Sequence, residues 1–136
     1  MKIMLDEGAK MPTRSHPYDA GLDLYAKDGG VLRPHYHEVF DTGVHVSIPQ
    51  GCYGEIRSRS GLMVNHHIVT DGTIDSGYTG SIKVKLFNIG NKDYKVQAGD
   101  KIAQLVIVPC VLIPLELVDS LEDTDRGAAG FGSTGR

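Results

Sequence analysis

Cysteine is scarce in this chain: only Cys52 and Cys110 occur, and they form no Cys-x-x-Cys pair. That excludes a disulfide framework and a zinc site of cysteine spacing, and both residues read as reduced core thiols. Positive charge is not in excess either. Fourteen Lys and Arg stand against seventeen Asp and Glu, a net charge of −3, so no basic field exists to hold nucleic acid in bulk. A phosphate site, if there is one, has to be local. Long apolar runs of membrane-span length are missing, and Met1 to Lys10 mixes charges into its apolar residues, unlike a signal peptide. The expected location is cytoplasmic. No 3.6-residue apolar period runs far enough for a long helix.

What is present is punctuation. Seventeen glycines and six prolines divide 136 residues into short segments, enough chain for one domain with a real core. The expected class is all-β. Strands are expected at Lys2-Ile3-Met4, within Tyr18 to Tyr25, at Val31-Leu32, and at Gly43 to Pro49. In the last of these, Val44, Val46 and Ile48 point inward and His45 and Ser47 outward. Further strands are expected from Tyr53 to Arg57, over Ser81 to Phe87, at Tyr94-Lys95-Val96, and from Lys101 to Val108. One short helix starts near Ser60 and runs to about His66. From Ile102 to Val118 the chain is nearly all apolar, which reads as strands buried on both faces, in a sandwich core or a subunit interface. His35 and His37 alternate, but no further ligand has the spacing zinc requires.

Chemistry concentrates in five places. Gly72 to Gly80 packs Asp75, Tyr78 and three glycines into nine residues leading into an alternating strand, and reads as a tight hairpin against which a flat ligand could lie. Asp23, between Leu22 and Leu24, projects away from the core on its strand. Arg59, Ser60 and Gly61 offer a planar fork of donors, a hydroxyl and a bare amide at the start of the short helix, where anions are favoured. Gln104, set in an apolar strand, needs hydrogen-bond partners. At the other extreme of the chain, Arg126, Phe131, Gly132, Ser133 and Thr134 combine a guanidinium, an aromatic ring, amides and hydroxyls. That set would suit a mobile cover over a base and its phosphates.

In order, Ala20-Gly21-Leu22-Asp23-Leu24, Arg59-Ser60-Gly61-Leu62, Gly72 to Tyr78, Gly99 to Leu105 and Arg126 to Gly135 resemble the five motifs of the homotrimeric dUTPases. The resemblance implies a jelly-roll-like β domain over residues 1–123, a flexible Gly-rich arm over 124–136, and a homotrimer with active sites at subunit interfaces. It implies that dUTP is hydrolysed to dUMP and diphosphate by water attack on the α-phosphorus, with Asp75 as general base. Tyr78 would pack on the deoxyribose, and the backbone of Thr73 and Ile74 would pair with uracil. Arg59, Ser60, Gly61, Gln104 and Lys83 would bind substrate, as would Arg126, Phe131, Gly132, Ser133 and Thr134 of the arm. Magnesium would be held mainly by the triphosphate, with Asp23 reaching the metal through water. Three positions depart from the pattern: Ser58 stands where proline is common, Val69 where many members place an Asn that reads uracil, and Thr79 where Arg is common. Two alternatives are a dCTP deaminase on the same fold and a phage-type dUTPase that also docks a regulatory protein. No nucleic-acid or membrane partner is expected.

Overall fold

The computed structural model describes residues 1–129. Eleven strands and one helix follow in order: β1 (Lys2–Leu5), β2 (Gly21–Tyr25), β3 (Gly30–Leu32), β4 (His37–Asp41), β5 (Val44–Ser47), β6 (Cys52–Arg57), α1 (Ser60–His66), β7 (Ile68–Val69), β8 (Asp71–Ile74), β9 (Lys83–Asn88), β10 (Tyr94–Val96) and β11 (Lys101–Pro109). A four-stranded sheet runs β2-β11-β6-β8 and a three-stranded sheet β4-β9-β7, with β1-β5 and β10-β3 as two-stranded pairs. Every pairing is antiparallel. The fold is mostly β, as the short segments between glycines and prolines imply.

One core unites the sheets. Along β9, Val84, Leu86 and Asn88 are buried while Lys83 and Lys85 are exposed, the period-2 pattern of a strand covered on one face. Val44, Val46 and Ile48 enter the same cluster with Leu24, Leu32, Phe40, Ile56, Ile102 and Leu105. Each fully buried aliphatic side chain contributes about 1.5–3 kcal/mol. The buried Asn88 is satisfied by donating to the Leu32 and Lys92 carbonyls (3.0 and 2.8 Å) and accepting from the Gly90 amide (2.9 Å).

The structure corrects the sequence-based expectations in three places. First, Gly72 to Gly80 is not a hairpin: β8 pairs with β6, whereas β9 pairs with β4 and β7. The glycine-rich loop therefore crosses between sheets. The chain first crosses between these sheets at Thr70, from β7 to β8; the Thr70 amide donates to Ser58 Oγ (2.8 Å) and its hydroxyl to the Lys85 carbonyl (2.7 Å), and Ser58 Oγ returns a bond to the Thr70 carbonyl (2.9 Å). Ser58, where proline is common in the family it resembles, thus ties the two sheets together.

Second, the apolar run is a strand only as far as Pro109. From Cys110 to residue 129 there is no strand or helix, and Val111, Leu112, Ile113, Leu115, Leu117 and Leu121 are exposed. Third, β4 has no counterpart in the sequence reading. Its residues His37, Glu38 and Val39 are exposed, and only Phe40 is buried, so no alternation marks it. His35 lies in a left-handed turn (φ 61°) and His37 packs its ring on Phe87.

Candidate functional site

The first group of functional side chains gathers on Asp23. Its strand neighbour Leu24 enters the core, so Asp23 points to the other face, as expected; yet it is 2% exposed. A strand aspartate on an outer face is ordinarily solvated. This one is covered because Thr13 bridges it through the backbone and four donors close over its carboxylate. Lys101 Nζ lies 2.7 Å from Oδ2, Arg59 Nε 3.2 Å from Oδ1 and Gln104 Nε2 3.5 Å from Oδ1, with Ser15 Oγ 3.3 Å from Oδ2. Burial pushes the carboxyl pKa up, but the Lys101 bond, the Arg59 and Lys101 charges and the Gln104 amide together hold it below the ordinary value of 3.8. A charge this buried is tolerated because it is paired and bonded.

Lys101 was absent from the candidates read from sequence, and the reason is local. Residues three apart on a regular strand face opposite ways, so Lys101 and Gln104 should not share a face. The register against β2 shifts between Lys101 and Ala103. This bulge adds one residue, buries both Ile102 and Ala103, and turns Lys101 to the Asp23 side. A glycine completes the packing: a Cβ on Gly21 would meet the Gln104 side chain at 3.1 Å, so a side chain there would push Gln104 off the cluster.

Arg59 is the N-cap residue of α1 and makes no side-chain cap bond; its guanidinium instead turns to Asp23 and to the Lys101 carbonyl (3.4 Å). Ser60 and Gly61 are exposed on the first turn. Arg59, Lys101, Gln104, Ser60 and Gly61 therefore form a donor-rich surface, oriented from beneath by one buried carboxylate. Such a surface receives phosphates.

The second group sits on the β8–β9 loop. Asp75 follows β8 directly and is exposed; its carbonyl accepts the Tyr78 amide (3.0 Å). The Tyr78 hydroxyl donates to the Ser81 carbonyl (3.0 Å), so the ring folds back over Gly80, where a Cβ would lie 2.5 Å from the phenol oxygen. Ser81 Oγ donates to Asp41 Oδ1, and that bond first, ahead of the opposing effect of burial and with the Gly43 amide and nearby Lys27 and Lys83, holds the Asp41 carboxyl below its usual range. Thr73 and Ile74 lie on β8, which pairs on one side only, with β6. Its outer edge leaves main-chain donors and acceptors open to a planar partner.

The two groups do not meet within one chain. Gln104 stands opposite Arg57, and Arg57 opposite Asp71, while Ile74 stands opposite Gly54. The step from Asp71 to Ile74 carries Asp75 about 10 Å further along the sheet, away from the donor cluster. Lys83 is exposed on β9 opposite Asp41, near the loop rather than the cluster. Arg126 is exposed, its Nε donating to the Ala129 carbonyl (3.0 Å). Phe131, Gly132, Ser133 and Thr134 lie outside the described residues. Among the described residues, no three His, Cys, Asp or Glu side chains converge as a metal cage.

The comparisons with known proteins agree on one family. The sequence model of the dUTPase family matches residues 7–135. A deoxyuridine 5'-triphosphate nucleotidohydrolase of Clostridium tetani (strain Massachusetts / E88) is 41% identical over 136 residues, covering 98% of this chain and 94% of that protein. Among solved structures, the dUTPase of Staphylococcus bacteriophage 80alpha with dUPNHPP superposes with a TM-score of 0.92 at 33% identity, over 99% of this chain and 98% of that one. A variant dUTPase from phage phi11 of S. aureus, whose structure details the coordination of a structural Mg(II) ion, matches with a TM-score of 0.82 at 33% identity, over 90% of this chain and 98% of that one.

Proposed function

The chain belongs to the dUTPase family and hydrolyses dUTP, and from that premise we propose how its residues divide the reaction between subunits. Water attacks the α-phosphorus; a new P–O bond forms as the bond to the bridging oxygen breaks, diphosphate leaves, and Asp75 takes the proton of the attacking water. Arg59, Lys101 and Gln104, held in register by Asp23, bind the triphosphate with Ser60 and Gly61, and neutralise charge developing on the phosphates. Uracil pairs with the open edge of β8 at Thr73 and Ile74. That edge supports backbone reading of the base in a chain with Val69 where an Asn side chain is common. Tyr78 packs on the deoxyribose and occupies the space of a 2′-hydroxyl.

The observation that carries this reading is the separation of Asp75 and Tyr78 from the donor cluster within one chain, together with the exposed apolar segment from Val111 to Leu121. A homotrimer in which neighbouring copies face each other joins loop to cluster and covers those side chains. In such an assembly each site takes its base from one subunit and its phosphate donors from another. Magnesium fits as a passenger of the substrate: both Asp23 oxygens already face cationic or polar donors, so this chain offers the ion at most a contact through water, with the triphosphate as the main ligand. The bound ion supplies charge neutralisation.

Diphosphate release from dUTP with magnesium, run beside dTTP, dCTP and UTP, tests the reading; ammonia release from dCTP would mark a deaminase instead. Two variants sharpen it. Gly80→Ala, whose methyl displaces the Tyr78 phenol, should raise the UTP:dUTP ratio of kcat/KM by about tenfold, since discrimination by one packed contact is worth about 1–3 kcal/mol. An unchanged ratio would remove Tyr78 from sugar selection. For the segment 127–136 we propose closure over bound nucleotide, with Phe131 stacked on uracil and Arg126, Gly132, Ser133 and Thr134 on the γ-phosphate. Its deletion should lower kcat/KM for dUTP about tenfold or more, the worth of one base–aromatic stack, while leaving fold and assembly intact. Unchanged kinetics would free Phe131, Gly132, Ser133 and Thr134 of that role.

A further inference from the structure

His45 lies on β5, where alternation sends it away from the core. It reaches the loop that carries Asp75 and Tyr78: Nδ1 is 2.8 Å from the Thr79 carbonyl, and Nε2 is 3.1 Å from Asp6 Oδ1 just beyond β1. A carbonyl and a carboxylate can only accept. Both ring nitrogens therefore carry hydrogen, and the ring is an imidazolium bridging two acceptors. Its side chain is 18% exposed and that of Asp6 37%. Asp6 is itself anchored, its amide donating to the Gly43 carbonyl (2.8 Å) and its other carboxylate oxygen facing Lys27 Nζ (3.7 Å). A fixed carboxylate thus holds the ring, and the ring holds the peptide that follows Tyr78.

We infer that His45 is a positioning residue for dUTP hydrolysis, whose protonated ring clamps the Thr79 carbonyl and so holds the Asp75–Gly80 loop in its substrate-binding form. The inference rests on the reading of that loop as the base and sugar site. Its consequence is a pH dependence. The Thr79 carbonyl first, and after the opposing effect of burial Asp6 and the Asp41 charge, raise the His45 pKa above the ordinary 6.5. Because the folded value is raised, the clamp is complete below pH 6.5 and weakens as pH climbs through the folded value. Other charges lie around the ring: Lys2 on β1 lines the same groove, Lys27 shares Asp6, and Lys83 stands opposite Asp41 in the strand register. These cations oppose the carboxylates and are common to every variant below.

The test compares kcat/KM for dUTP from pH 6 to 9 in the wild type, His45→Gln and Asp6→Asn. The Gln side chain keeps an N–H for the Thr79 carbonyl but has no proton to titrate. The wild-type advantage over His45→Gln should be about fivefold at pH 6, the worth of one net hydrogen bond, and should vanish toward pH 9; ionisation of the nucleotide cancels in the ratio. Asp6→Asn should move the midpoint of that loss to lower pH. Imidazole 15N shifts of the full-length protein should show both nitrogens protonated at pH 6, with the Tyr78 and Gly80 amides following the same titration. A ratio independent of pH, or a single protonated ring nitrogen at pH 6, overturns the clamp. An Asp75→Asn control separates the premises. If that variant turns over normally the loop assignment fails, while the nitrogen and amide titrations still decide whether His45 holds Thr79.

Discussion

Asp75→Asn is expected to bind dUTP about as well as the wild type and to lose turnover by about two to four orders of magnitude, the usual worth of a positioned general base. The structure makes the substitution clean. Asp75 contributes to its turn through its carbonyl, which accepts the Tyr78 amide, and Asn keeps the backbone and nearly the same volume. The side chain is exposed, so the exchange should alter stability by no more than about 0.5 kcal/mol. What Asn cannot do is take a proton from water. Single-turnover hydrolysis beside equilibrium binding of dUTP would read the two effects separately. A rate near that of the wild type would mean that another group accepts the proton. Asp71 is the neighbouring carboxylate on the same strand, but it stands opposite Arg57 at the other end of β8.

Much of the fold was legible because it follows from local rules. The alternation of Val44, Val46 and Ile48, and of Val84 and Leu86, gave two core strands, and the helix begins and ends where Ser60 and His66 place it. The failures share a cause: each depends on a neighbour distant in sequence. Gly72 to Gly80 has a hairpin's composition, and nothing in it says that β8 pairs with β6 rather than with the next strand. The apolar run after Pro109 has a core strand's composition, and nothing in it says which chain covers it. Asp23 was placed on the correct face, but its burial depends on Arg59 and on Lys101. The latter reaches it only through a one-residue bulge that side-chain parity on a regular strand forbids. His45 was read as simply outward, yet its ring spans from Asp6 to Thr79. The five motifs named the family; they could not show that one chain holds Asp75 apart from the Arg59, Lys101 and Gln104 cluster.

That separation leads to the second large effect. Asp75→Asn and Arg59→Ala proteins, each expected to be nearly inactive when pure, should recover activity when co-expressed. Both ought to fold. The Asp75 side chain is exposed, and loss of Arg59 still leaves Asp23 bonded to Lys101 and Gln104, so the buried carboxylate remains compensated. Both keep the apolar segment from Val111 to Leu121, where each large aliphatic side chain gains about 1.5–3 kcal/mol on burial against a neighbour, so mixed trimers should form freely. In the threefold ring proposed above, each site would draw Asp75 from one subunit and Arg59 from the next. Any trimer containing both variants then has one site that takes its Asp75 from an Arg59→Ala chain and its Arg59 from an Asp75→Asn chain. Random mixing makes about three quarters of the trimers hybrid, each with one complete site of three, so activity should return to about a quarter of wild type. Native mass spectrometry would verify that the subunits have mixed. If verified hybrids are as inactive as their parents, base and phosphate donors belong to one chain, and the division of the site between subunits is wrong. Recovery near a quarter requires that loop and cluster meet only across the interface, the arrangement expected from a register that sets Asp71, and not Asp75, opposite Arg57.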